Sequence, residues 1–137
     1  MENKLKHLEF IQNIITRMNS NSFLLKGWSV TLVSALYALA ANDTNVQYVL
    51  ISYVVIPVFW LVDGFYISQE RQYRDLYKDV AFKAESDIDF NLDASEYNKG
   101  RNTWLSGIFS KTLIPFYGIS ILATLIVMFI LANYQNG

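Results

Sequence analysis

Between residues 21 and 42 the chain reads NSFLLKGWSVTLVSALYALAAN, and from Gly27 to Ala41 no side chain ionises. With Phe23, Leu24 and Leu25 leading in, the run approaches the ~20 residues that a helix needs to cross about 30 Å of hydrocarbon. Two comparable apolar runs follow, at 46–67 and 112–132. Three of them in 137 residues leave little material for a soluble core. The pattern therefore predicts an all-α integral membrane protein, one domain over 1–137, with transmembrane helices at 22–41, 46–67 and 112–132. A cleaved signal peptide is the competing use of the first run. The charged, patterned segment ahead of it and the lack of a cleavage-site context behind it argue against that use.

Polar periodicity fills in the rest. Ahead of the first run, Leu5, Leu8, Ile11, Ile15 and Met18 recur at helical spacing, widened by Phe10 and Ile14, with Lys4, Glu9, Asn13 and Arg17 opposite or flanking. This predicts an N-terminal amphipathic helix at 1–20, either a collar in the headgroup layer or a helix folded onto the extension of the second span. The cluster Asn19, Ser20, Asn21, Ser22 offers N-cap side chains and is expected to bend the chain before the first span. Past the second span the helical pattern continues through FYISQERQYRDLYKDV, so 68–111 is read as a cytosolic helical extension followed by an acidic loop.

Inside the spans, Gly27, Thr31 and Ala35 lie four apart beside Ser34 and Ala38, and Gly118, Ser120, Ala123 and Thr124 repeat the theme. Small residues let helix backbones approach closely in lipid, within or between subunits. Ser29, Thr31, Ser34, Ser52, Ser120 and Thr124 are the candidate pore or packing hydroxyls. Pro57 interrupts the second span and tends to kink it, while Pro115 falls in the first turn of the third, where the missing donor matters little. Trp28 and Trp104 are placed as interfacial anchors.

Asp63, near the end of the second span, is an expensive residue for hydrocarbon. Lys26 lies at a similar depth on the antiparallel neighbour, so the two are expected to form an intramembrane ion pair. Either that pair clamps two helices, or Asp63 has an ion-pathway or proton-sensing role.

Charge settles the expected orientation. Lys4, Lys6, Arg17 and Lys26 precede the first span and Arg71, Arg74, Lys78, Lys83, Lys99, Arg101 and Lys111 lie between the second and third, which accounts for all 11 basic residues. By the positive-inside rule that face is cytoplasmic, with the N-terminus inside and the C-terminus outside. The net charge of −1 gives no bulk attraction to nucleic acid. Arg71, Arg74 and Lys78 share a helix face that suits lipid headgroups or a phosphate-bearing ligand, or else only sets topology. From Glu85 to Glu96 five acidic residues occur without a basic one. DIDFNLD within that run imitates a calcium loop but places Leu92 where the glycine belongs and Asn98 where the twelfth-position glutamate belongs, so metal binding is not expected. Asp87, Asp89 and Asp93 are read as a hydrated linker or as a docking surface for a basic partner.

With no cysteine and the single His7, most catalytic constellations are missing, and no enzyme activity or cofactor is expected. HLEFIQNIITRMNSNSFLLKGWSVTLVSALYALAA and FWLVDGFYISQERQYRDLY, within about the first 80 residues, resemble small bacterial membrane proteins of anti-phage defence, the Hailong system membrane effectors above all. The resemblance implies a homo-oligomeric, tetrameric ion channel in the bacterial inner membrane, controlled by a cytosolic nucleotidyltransferase or its oligonucleotide product. A non-conducting scaffold that anchors a soluble partner through 66–111 is the alternative. Membrane lipids are partners in either case.

Overall fold

A computed structural model describes residues 1–43 and 45–136. Two long antiparallel helices dominate it, α1 (Glu2–Asp43) and α2 (Gln47–Ala81). A segment of single 3-10 turns and the short helix α3 (Trp104–Ile108) leads to the third long helix, α4 (Leu113–Asn136). Among the described residues, three helices are thus long and apolar enough to cross a membrane. At 1.5 Å per residue α1 extends about 63 Å, twice the thickness of a hydrocarbon layer. Its apolar half is the expected first span and its polar half projects beyond.

The expected bend at Asn19 to Ser22 is not there: α1 is helical throughout, and 1–20 is its leading half instead of a separate helix. The physical reason lies in the stripe that α1 buries. His7, Ile11, Ile15, Ser22, Ser29, Val33 and Ala40 recur at intervals of four or seven, so one seam runs through the asparagine and serine cluster. Asn and Ser lower helix propensity by only about 0.5 kcal/mol each, which tertiary packing overrides. Ser22 caps nothing; its hydroxyl is committed to α2. α2 answers with Val49, Ser52, Ile56, Asp63, Ser68, Gln72, Leu76 and Val80, and it remains helical through Pro57.

Three apolar clusters lie along this seam. At the polar end Ile11 and Ile15 meet Leu76, Val80 and Ala94, so the N-terminal stripe packs on the extension of α2. In the middle Val33, Ile56, Leu113 and Tyr117 join all three long helices. At the apolar end Ala40, Val49 and Leu131 close the bundle. α1 ends at Asp43 and the antiparallel α2 begins at Gln47; Thr44, like Gly137 of the tail, lies outside the described residues. Asn45 stabilises the start of α2 by accepting from the Gln47 amide at 3.0 Å.

Residues 82–112 fold back along α2. Glu85 reaches the opening turn of α1, accepting from the Asn3 and Lys4 amides at 2.9 and 3.1 Å. Helix-terminal amides lack intrahelical partners, and a carboxylate suits the positive end of the helix dipole. Further on, the Asn91 carbonyl accepts from His7 Nε2 at 2.9 Å. Phe90, at φ +55, packs against the His7 and Phe10 rings. The alternating polar residues of DIDFNLD have a local use. Asp89, Asn91 and Asp93 each accept a hydrogen bond from the backbone amide two residues on, at 3.1, 2.9 and 2.9 Å. They form three successive Asx turns.

α3 is seated by a close backbone approach. A Cβ on Gly107 would stand 2.4 Å from the Gly64 carbonyl oxygen, and one on Gly64 would stand 2.6 Å from Ile108 Cγ1. Side chains then fasten the segment. Trp60 Nε1 donates to the Ile108 carbonyl and Trp104 Nε1 to the Leu61 carbonyl, each at 2.8 Å. Ser68 and Gln72 both donate to the Asn102 carbonyl, at 2.5 and 3.1 Å. Thr103 caps α3 and Ser110 caps α4.

Candidate functional site

Two groups of polar side chains stand out, one inside the bundle and one at its polar end. The inner one centres on Asp63, which is fully buried. Lys26 Nζ donates to its Oδ2 at 2.7 Å, so the structure brings the two expected partners into contact. Two further residues complete the group. Ser22 donates its hydroxyl to Oδ1 and accepts from Lys26 Nζ at 2.8 Å. Tyr117 donates to Oδ2 at 2.8 Å.

Each member reaches the group for a local reason. Ser22 and Lys26 are one helical turn apart, hence on the same face of α1. Tyr117 is held by a parallel stack with Trp60, 5.8 Å between centroids, and the Phe116 ring lies 5.9 Å from Lys26 Nζ. Both carboxylate oxygens thus have donors, from α1 on one side and α4 on the other. A carboxylate so surrounded fixes three helices at one depth. Ser22 follows from the four-residue spacing to Lys26; Tyr117 does not, since sequence alone leaves the rotation of the third helix open.

The six candidate hydroxyls separate. Ser29 and Ser52 are buried inside the subunit, without a hydrogen-bond partner among the described residues. Thr124 is buried too, bonded to the Tyr37 hydroxyl and to the Ser120 carbonyl. These three are buried within the single subunit. Thr31 and Ser34 are exposed on α1, and Ser120 is half-buried on α4. Gly27 and Gly118 likewise have open space where a Cβ would sit.

At the polar end, Arg71, Arg74 and Lys78 line a cleft of about 340 Å³ together with Asp75, Lys99, Arg101 and Asn102. Lys99 and Arg101 arrive from a segment whose return path the sequence does not reveal. Arg71 Nη1 donates to the Arg101 carbonyl at 2.7 Å. Burial, and secondarily the charge of Arg101, hold the Arg71 guanidinium below its usual pKa. Arg74 is engaged by Glu70 at 2.7 Å, and Asp75 accepts from Asn102 Nδ2 at 2.6 Å. The acidic residues do not share this cleft. Asp87, Asp89 and Asp93 are exposed, Asp89 facing Lys83 at 3.8 Å and Asp93 engaged by Ser95. Hydrogen bonds from Ser95 keep the Asp93 carboxyl below its usual range, and the Asn91 amide does the same for Asp89. Compared with protein-family models, curated proteins and solved structures, the chain finds no match in any of the three.

Proposed function

We propose that this protein is a homo-oligomeric membrane effector of the bacterial inner membrane, a gated ion channel whose opening depolarises the cell in anti-phage defence. The observation that carries the reading is the uncommitted face of α1. Gly27, Thr31, Ser34, Ala35 and Ala38 remain outside the single subunit's seam, while Ser22, Lys26 and Tyr117 inside it are engaged by Asp63. Small and hydroxyl surfaces that are not used within a subunit suit contacts between subunits in lipid. Three helices are too few to enclose a hydrated path, so conduction requires several copies, with Thr31, Ser34 and Ser120 available to face water. The N-terminus, the 68–111 segment and the basic cleft lie on the cytoplasmic side by the distribution of basic residues, where a nucleotidyltransferase or its oligonucleotide product has access.

Planar-bilayer recordings of the purified protein, paired with a membrane-potential dye in expressing cells, test the proposal. Discrete conductance steps together with depolarisation are expected. An oligomer that conducts in neither setting leaves a scaffold that anchors a soluble partner through 66–111.

A further inference from the structure

The basic cleft holds more charge than its own fold uses. Five cationic side chains line it against the single carboxylate of Asp75, which Asn102 already engages. Arg74 has Glu70, but Arg71, Lys78, Lys99 and Arg101 form no ion pair among the described residues. Burial and the neighbouring guanidinium of Arg101 both work against the charged form of Arg71. Like charges gathered in a concave, partly desolvated place create a positive potential that an anion relieves.

The donors are also positioned. Nη1 of Arg71 is held by the Arg101 carbonyl and by Ser106 Oγ at 3.4 Å, which fixes the plane of the guanidinium. Its remaining N–H groups, and those of Arg101, have no acceptor among the described residues. Guanidinium forks match phosphate oxygens two at a time, and lysines add point charge. The cleft volume of about 340 Å³ lies at the lower end of the range for small-molecule sites.

Height along the bundle narrows the source. Eight residues separate Arg71 from Asp63, about 12 Å along α2, which puts Arg71 near the level of lipid phosphates if Asp63 marks the inner edge of the hydrocarbon. Lys78 stands about 10 Å further out. A lipid headgroup reaches the cleft from one side and a soluble phosphate compound from the other.

We propose that the cleft formed by Arg71, Arg74, Lys78, Lys99 and Arg101 is a binding site for a phosphate group, carried by an anionic lipid or by a small soluble compound. The inference deepens the gated-effector reading by naming the chemistry of its signal. Binding is measured without conduction, so either idea fails by itself.

The full chain in phosphatidylcholine nanodiscs is titrated with inorganic tripolyphosphate by calorimetry. In a second arm, native mass spectrometry counts phosphatidic acid retained by the protein from mixed phosphatidylcholine and phosphatidic acid nanodiscs. At least one probe is expected to bind, and the arm that responds identifies the source. The Lys78→Gln/Lys99→Gln variant, whose side chains have no partner among the described residues, is expected to weaken binding about tenfold with helicity unchanged. Arg71→Gln/Arg101→Gln should weaken it further, and Lys83→Gln/Lys111→Gln, outside the cleft, should leave it unaltered. Failure of both probes to bind overturns the site. So does binding that survives Lys78→Gln/Lys99→Gln, or that falls as far in Lys83→Gln/Lys111→Gln.

Discussion

Asp63 is the residue on which the interior of the bundle depends, and its surroundings make its behaviour calculable in sign. Removing Lys26 alone leaves a buried carboxylate with only two hydroxyl donors, a change expected to destabilise by about 3–5 kcal/mol. Lys26→Met combined with Asp63→Leu should recover much of that loss, because the double variant has no charge left to desolvate. A double-mutant cycle on thermal unfolding in detergent reads the coupling, and strict additivity would mean that the pair is not energetically coupled. The partnership was legible from matched depth on antiparallel helices. Tyr117 was not, because depth in a third helix says nothing about which way its side chain faces.

Glu85 gives a pH dependence of definite direction. Its carboxyl is held below the usual range first by the hydrogen bond from the chain's amino terminus and then by the Lys4 and Asn3 amides. A folded-state pKa below the unfolded one contributes stability that is present above the ordinary carboxylate range and lost as pH falls through the lowered value. Protection factors of the first-turn amides of α1 should therefore decline on acidification below the usual glutamate pKa. Glu85→Gln should remove that dependence, and a variant with an unchanged pH profile would assign it to another group.

Among the elements, α1 is where sequence and structure diverge most. Asn19, Ser20, Asn21 and Ser22 carry the side chains of a helix start, and local preference alone puts a bend there. The seam through His7, Ile11, Ile15, Ser22 and Ser29 outweighs that preference because packing is set by α2, which lies far away in sequence. Ser20 is exposed, so Ser20→Pro separates the two possibilities cleanly. In a turn it would be tolerated, whereas within a continuous helix it should destabilise by about 3 kcal/mol or more. α3 offers a second test. Gly107→Ala should destabilise by about 1–3 kcal/mol through overpacking against the Gly64 carbonyl, while Gly118→Ala, facing open space, should leave the melting temperature nearly unaltered. Gly64 and Gly107 carry no periodic signal, so their pairing could be found only in three dimensions.

For the molecule as a whole, the three apolar runs and the continuation of α2 past Asp63 were readable from composition and period. The course of 82–112 was not. Its attachments to α1 and α2 run through scattered residues, such as Glu85, Asn91 and Asn102, with no repeating pattern to announce them. The proposed topology has its own check. A cytosolic reporter fused after the last helix should be inactive and alkaline phosphatase active, and the opposite result would place the C-terminus inside.

An unbroken helix pinned at an interior point behaves mechanically as a lever. Once its contacts with α2 at Ile11, Ile15 and Ala40 are released, α1 is held at Lys26 by Asp63, with arms of about 36 Å toward its first residue and about 25 Å toward its last at 1.5 Å per residue. A rigid tilt of about 10° around that fulcrum swings the polar tip by about 6 Å and the apolar tip by about 4 Å in the opposite sense. Spin labels at the two ends of α1, each referenced to α4, measure the two displacements, and their ratio should follow the arms.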